Sequence, residues 1–156
     1  MSRARNIVEQ ASAAGIVIAT AESCTGGMIS AEITDVAGSS RVLDRGFVTY
    51  SNAAKMDMLG VFAETLDTHG AVSEQVAAEM AAGALKHSNA TLTVSVTGIA
   101  GPGGSDFKPE GRVCFVIATK DCVETQQVDF GPLGRAGVRS ATVSHALELL
   151  LQKLPN

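Results

Sequence analysis

The run Ile16-Val17-Ile18-Ala19 is short, apolar and rich in β-branched side chains. It passes through Glu22-Ser23-Cys24-Thr25-Gly26-Gly27 directly into a helical pattern from Met28 to Val36. Such a run reads as a buried strand. A strand that breaks on a glycine turn into a helix needs a crossover to reach its next partner. The stretch therefore predicts parallel pairing, with helices packed on the sheet.

The rest of the chain continues the pattern. Residues 3–14 place Ile7, Val8, Ala11 and Ala14 at helical spacing, with Gly15 as a C-cap. A second strand is predicted at Phe47–Tyr50, followed by Ser51 as the N-cap of a helix that runs through Leu59 and stops at Gly60. Further helices are predicted over Glu64–His69 and, after Ser73, through Val76, Ala77, Met80, Ala81, Ala84 and Leu85. Thr91–Thr97 alternates Leu92, Val94 and Val96 with Thr and Ser, a strand with one apolar face. Gly98–Gly111 is a loop rich in Gly and Pro. Val113–Thr119 and Val123–Phe130 read as a hairpin joined at Lys120-Asp121, and Arg135–Leu154 as a closing amphipathic helix. The predicted fold class is α/β, a three-layer α/β/α sandwich with a mixed, mostly parallel sheet.

A chain of 156 residues suits one domain, 1–156, with a single sizeable core. Hydrophobic residues make up 46%, aromatic residues only 4%, and Trp is absent, so Ala, Val, Ile and Leu must build that core. The formal net charge of -4 argues against nucleic acid as a partner, because phosphate backbones require a concentrated basic face. No apolar run approaches the ~20 residues of a membrane span. Glu9 and Gln10 interrupt any signal-peptide core after the basic N-terminus. Cys24, Cys114 and Cys122 are odd in number and lack paired metal-ligand spacing. A cytoplasmic protein with reduced thiols and no membrane partner is the expectation.

In open α/β sheets, ligands bind beyond the carboxyl ends of the strands. Glu22–Gly27, Tyr50–Lys55 and Thr97–Gly104 all fall there. The turn Ser23–Gly27 sets backbone N–H groups at a helix N-terminus, suited to an oxyanion or a phosphate. It reads equally as a plain cap with glycines for tight packing, and it matches neither a Walker A loop nor a Gly-x-Ser-x-Gly elbow. Lys55, just past the first turn of its helix, is either a solvated surface lysine or a base. Burial and the helix dipole would depress its pKa, and a neutral lysine can take the proton of a serine. Tyr50, the one tyrosine of the chain, is either half-buried filler or a hydroxyl that orients the pair. The Gly-rich loop suits close backbone approach to a ligand. His69, His87 and His145 read as solvent-facing or capping, Cys24 as a small buried residue, and Arg139 as either a phosphate contact or a surface charge.

Four motifs carry a resemblance. They are Ala21-Glu22-Ser23-Cys24-Thr25-Gly26-Gly27, Gly46-Phe47-Val48-Thr49-Tyr50-Ser51-Asn52, His69-Gly70-Ala71-Val72-Ser73-Glu74 and Ser95-Val96-Thr97-Gly98-Ile99-Ala100-Gly101-Pro102. In this order they closely resemble the CinA C-terminal domain family, across nearly the whole chain. Stand-alone members of that family hydrolyse nicotinamide mononucleotide to nicotinate mononucleotide and ammonia. The resemblance implies Ser23 as nucleophile, Lys55 as its partner base and Tyr50 beside them. Thr25, Gly26, Gly27, Asn52, Thr97, Gly98 and Arg139 become the expected substrate-binding positions. It also implies a mixed sheet of about five strands, a homo-oligomer, and neither metal nor organic cofactor.

Two segments depart from the family pattern. Gly103-Gly104-Ser105-Asp106-Phe107 is one glycine short and replaces an acidic pair, and Gly131-Pro132-Leu133-Gly134-Arg135 stands where Gly-Asp-Arg is usual. Both touch the rim of the expected site. A hydrolase of a related nucleotide amide, and a non-catalytic nucleotide-binding module, therefore remain as alternatives.

Overall fold

The computed structural model describes residues 2–105 and 107–156; Met1 and Asp106 lie outside the described residues, Asp106 being part of the altered loop segment noted above. The described chain forms α1 (Arg3–Ala14), β1 (Ile18–Glu22), α2 (Met28–Thr34), β2 (Leu43–Val48), α3 (Asn52–Leu59), α4 (Ala63–His69), α5 (Glu74–Lys86), β3 (Leu92–Gly98), β4 (Arg112–Ala118), β5 (Val123–Asp129) and α6 (Gly134–Gln152). A single 3-10 turn, Ser39–Arg41, leads into β2.

The strands form one sheet in the order β2-β1-β3-β4-β5. β1 pairs in parallel with both β2 and β3, while β3–β4 and β4–β5 are antiparallel. Four strands thus share one direction and β4 alone opposes them. α1, α2 and α6 cover one face through Ile7, Ile29, Val138 and Leu150, packed on Val94, Val96 and Phe115. α3, α4 and α5 cover the other through Leu59, Leu66, Met80 and Ala81. The result is the three-layer sandwich with a mixed sheet.

Local capping defines several helices as the sequence indicates. Ser51 and Ser73 accept the backbone N–H groups of Ala54 and Val76, and Gly15 and Gly60 close α1 and α3 in the left-handed region. Strand limits differ from the pattern reading. β1 starts two residues later and continues through Glu22, because β2 and β3 pair with it on both sides along that length. β2 occupies Leu43–Val48 instead of Phe47–Tyr50. It is an edge strand, largely exposed, and Asp44 and Arg45 mask it in the hydropathy pattern.

β3 also differs. Its Thr/Ser face is as buried as its apolar face. Thr93 and Ser95 donate to the carbonyl oxygens of Ala81 and Ala77 at 3.0 and 2.6 Å, so small helix residues let α5 settle onto hydroxyls that are fully partnered. The same close fit holds α5 to the end of α3, where a Cβ on Gly83 would lie 1.9 Å from Leu59 O. His145, expected to face solvent or cap a helix, instead packs its ring 4.6 Å from that of Phe115, and burial lowers its pKa.

Candidate active site

The turn after β1, the segment after β2 and the long loop after β3 converge at one end of the sheet. They enclose a cavity of about 350 Å³ that Ser23, Tyr50, Asn52, Lys55, Thr97 and Gly98 help to line, together with the Gly-rich loop and Arg135. The parallel pairing of β1 with both neighbours places all three segments side by side.

Glu22 builds the turn that carries Ser23. Its side chain is fully buried at the last position of β1. One carboxylate oxygen accepts from the Thr25 hydroxyl at 2.5 Å and from Ile29 N–H at 2.9 Å. The other accepts from Ser30 N–H at 3.0 Å and the Ser30 hydroxyl at 3.2 Å. These bonds satisfy the first amides of α2, where negative charge is also favoured by the helix dipole. Gly27, at φ 104°, has no side chain to cap the helix, and Glu22 does so from the strand. Ser23 N–H in turn donates to Val96 O at 3.1 Å, which ties Ser23 to β3.

Lys55 lies under the same turn and is only 1% exposed. Its Nζ stands 3.0 Å from Ser23 Oγ, 2.9 Å from Thr49 O and 3.2 Å from Tyr50 O. Burial lowers its pKa from the ordinary 10.5. Ser23 Oγ and the two carbonyls are three acceptors around Nζ, matching the three donors of an ammonium. In the neutral amine that burial favours, the two carbonyls would take both N–H donors and leave the lone pair to the serine hydroxyl. This is the arrangement in which a lysine accepts a serine proton. Thr49, whose backbone oxygen meets Lys55, carries in Oγ1 the one buried side-chain polar atom without a partner among the described residues.

The remaining expected residues divide. Thr97 is buried, with its hydroxyl donating to Ala71 O at 2.9 Å, and Gly98 and Asn52 reach the cavity. Thr25, Gly26 and Gly27 lie behind it in the turn. The Tyr50 hydroxyl does not touch the Ser23–Lys55 pair; it accepts from Arg135 Nη2 at 2.5 Å, and only its backbone oxygen meets Lys55. Arg139 does not line the cavity either. It donates to Cys24 O at 3.1 Å and Thr25 O at 3.4 Å, so it braces the serine turn from behind. Burial pushes the neighbouring Cys24 thiol up to about 11, so it stays protonated.

The sequence pointed to Arg139 for the substrate phosphate and gave no role to Glu22 or Arg135. A lone acid ending an apolar strand was the available signal for the first. For the second it was the four-residue spacing, which puts both arginines on one face of α6.

The family model described as the CinA C-terminal domain matches residues 1–154. The chain belongs to this family. "Nicotinamide-nucleotide amidohydrolase PncC" of Escherichia coli (strain K12) is 47% identical over 154 residues, covering 98% of this chain and 93% of that protein. A "CinA-like protein" of Mycolicibacterium gilvum is 50% identical over 142 residues, which span 90% of this chain but 34% of that longer protein. The crystal structure of competence/damage inducible protein CihA from Agrobacterium tumefaciens superposes with a TM-score of 0.93 at 51% identity, covering 96% of this chain and 92% of that one. Among the described residues, no helix of this CinA-family chain is long and apolar enough to cross a membrane.

Proposed function

We propose that this CinA-family chain is a nicotinamide-nucleotide amidohydrolase that converts nicotinamide mononucleotide and water to nicotinate mononucleotide and ammonia. Near-full-length likeness to the Escherichia coli amidohydrolase supports the reaction. The observation that carries the mechanism is the 3.0 Å contact between Lys55 Nζ and Ser23 Oγ, made where two carbonyls occupy the other amine hydrogens.

Lys55 takes the Ser23 proton as Oγ attacks the carboxamide carbon. The cationic pyridinium ring makes that carbon more electrophilic. The tetrahedral oxyanion is held by backbone N–H groups that line the cavity beside Ser23, Cys24 being the one from this turn that reaches it. As the C–N bond breaks, the Lys55 ammonium returns its proton to the leaving nitrogen, and ammonia departs. Water then attacks the Ser23 ester as Lys55 takes its proton; Lys55 returns that proton to Ser23 Oγ as the acyl C–O bond breaks, and nicotinate mononucleotide leaves with its carboxyl proton passing to solvent. Every proton in these steps is carried by this chain's side chains, water and the leaving groups. Arg135, exposed at the cavity rim, takes the substrate phosphate in place of Arg139, whose guanidinium is committed to the turn. Asn52, Thr97 and Gly98 face the ring and its carboxamide.

The protein works as a single domain in the cytoplasm and as a homo-oligomer. Exposed Val48, Met58 and Phe62 support the last of these. The test is ammonia release from nicotinamide mononucleotide by the purified chain, with Ser23→Ala beside it. Release by the parent and none from the folded variant supports the reading. Equal release by both removes Ser23 from the mechanism, and binding without release by the parent leaves a nucleotide-binding module. Hydroxylamine added during turnover should trap the hydroxamate of nicotinate mononucleotide.

A further inference from the structure

α6 begins without a cap of its own. Leu133 is its N-cap residue and supplies no side-chain hydrogen bond, and residues 130–135 contain no acid. The carboxylate that meets this helix end comes from elsewhere, from Glu110 in the loop between β3 and β4. Glu110 Oε2 accepts from Gly134 N–H at 2.8 Å, and its Oε1 accepts from Gly103 N–H at 2.6 Å. One side chain thus joins the Gly-rich wall of the cavity to the start of α6. The next residue on the helix, Arg135, donates back across the gap to Gly101 O at 2.7 Å and to Tyr50. Gly101, at φ 90°, presses so closely that a Cβ there would stand 2.6 Å from the Glu110 carboxyl carbon.

These contacts close a ring through Gly101, Gly103, Glu110, Gly134 and Arg135. We propose that Glu110 is a positioning residue that straps the Gly-rich loop to α6 and so sets where Arg135 meets the substrate's anionic end. The proposal rests on the reading of the cavity as the nicotinamide-nucleotide site. Glu110 does not reach Ser23 or Lys55, so its influence falls on binding and not on the chemical step. A charged acceptor at a helix N-terminus adds to the hold, since partial positive charge gathers there. Loss of the side chain frees both walls at once.

Steady-state kinetics on nicotinamide mononucleotide, with the full chain and Glu110→Ala, supply the first test. KM should rise about tenfold, the equivalent of ~1.4 kcal/mol, while kcat stays within about twofold of the parent, the pattern of lost uniform binding. Glu110→Gln, with a single acceptor oxygen, should fall between. Adding Leu133→Asp to Glu110→Ala puts a carboxylate back at the start of α6 but not the link to Gly103. The thermal midpoint should recover and KM should stay high.

An unchanged KM in Glu110→Ala overturns the strap, and so does a KM restored by Leu133→Asp, which would make Glu110 a helix cap and nothing more. Amide hydrogen exchange separates this proposal from the one it rests on. If the parent releases no ammonia, the substrate reading fails. The strap itself still requires faster exchange at the Gly103 and Gly134 amides in Glu110→Ala, and equal exchange at both refutes it.

Discussion

The Lys55 amine and the Ser23 hydroxyl lie 3.0 Å apart, and both side chains are buried, although the residues are 32 positions apart in the chain. Ser23 stands on the turn after β1 and Lys55 on the first turns of α3, after β2. Parallel pairing of those two strands brings them together, and the two carbonyl oxygens facing Nζ give the amine its direction.

Replacement of Lys55 follows directly. Lys55→Met keeps most of the buried volume but has no lone pair for the serine proton, and kcat should fall by about 10³-fold, within the range for loss of a general base. Lys55→Arg should not rescue it, because a guanidinium stays charged. Activity at the parent level in either variant would sink the lysine's role.

The depressed lysine pKa sets a pH dependence with a definite sign. Only the neutral amine accepts a proton, so kcat/KM should rise with pH through the lowered Lys55 value, below the ordinary 10.5, and level off above it. Stability moves in the same direction. Between the lowered value and 10.5 the unfolded chain binds the lysine proton and the folded chain does not, so this group's contribution to stability rises with pH across that window. Urea unfolding at several pH values, with Lys55→Met as reference, isolates it. A flat difference between the two proteins would contradict the shift.

Arg135 and Arg139 should separate in their effects. Arg135→Ala removes an exposed rim cation; KM for nicotinamide mononucleotide should rise and the thermal midpoint should barely move. Arg139→Ala removes the brace on Cys24 O and Thr25 O, so kcat and thermal stability should fall together. The reverse assignment of effects would return the phosphate to Arg139.

Glu22→Gln tests the cap beneath Ser23. The amide offers one oxygen and directs an NH2 group toward amides that are themselves donors. Unfolding free energy should drop by about 3–6 kcal/mol, the order of two lost charge-assisted bonds. A drop well under that range, measured by chemical denaturation, would mean that water or a shifted turn replaces the carboxylate.

Thr49→Val runs in the opposite direction. The Thr49 hydroxyl is buried without a partner among the described residues, whereas its backbone oxygen holds Lys55. A valine of the same shape removes the orphan group and keeps the backbone contact. Stability should rise by roughly 1 kcal/mol, the lower end of the cost of an unsatisfied buried group. A loss of stability would show that the hydroxyl has a partner in solution.

What could be read from the residues in order was whatever depends on near neighbours. Ser51, Ser73, Gly15 and Gly60 mark helix ends because capping is settled within about four positions. The apolar runs reveal the α/β class, and the placement of Ser23, Tyr50, Lys55 and the Gly-rich loop after strands points to one end of the sheet. The tertiary structure alone decided what depends on partners distant in sequence. It buried the Thr/Ser face of β3 against α5 and carried β1 on to Glu22, because a strand's limits follow its neighbours' pairing. It turned Arg139 toward the serine turn and left Arg135 at the cavity. It brought Glu110 to the uncapped end of α6, 24 residues away. Periodicity states which face a side chain takes, and only packing states what waits for it there.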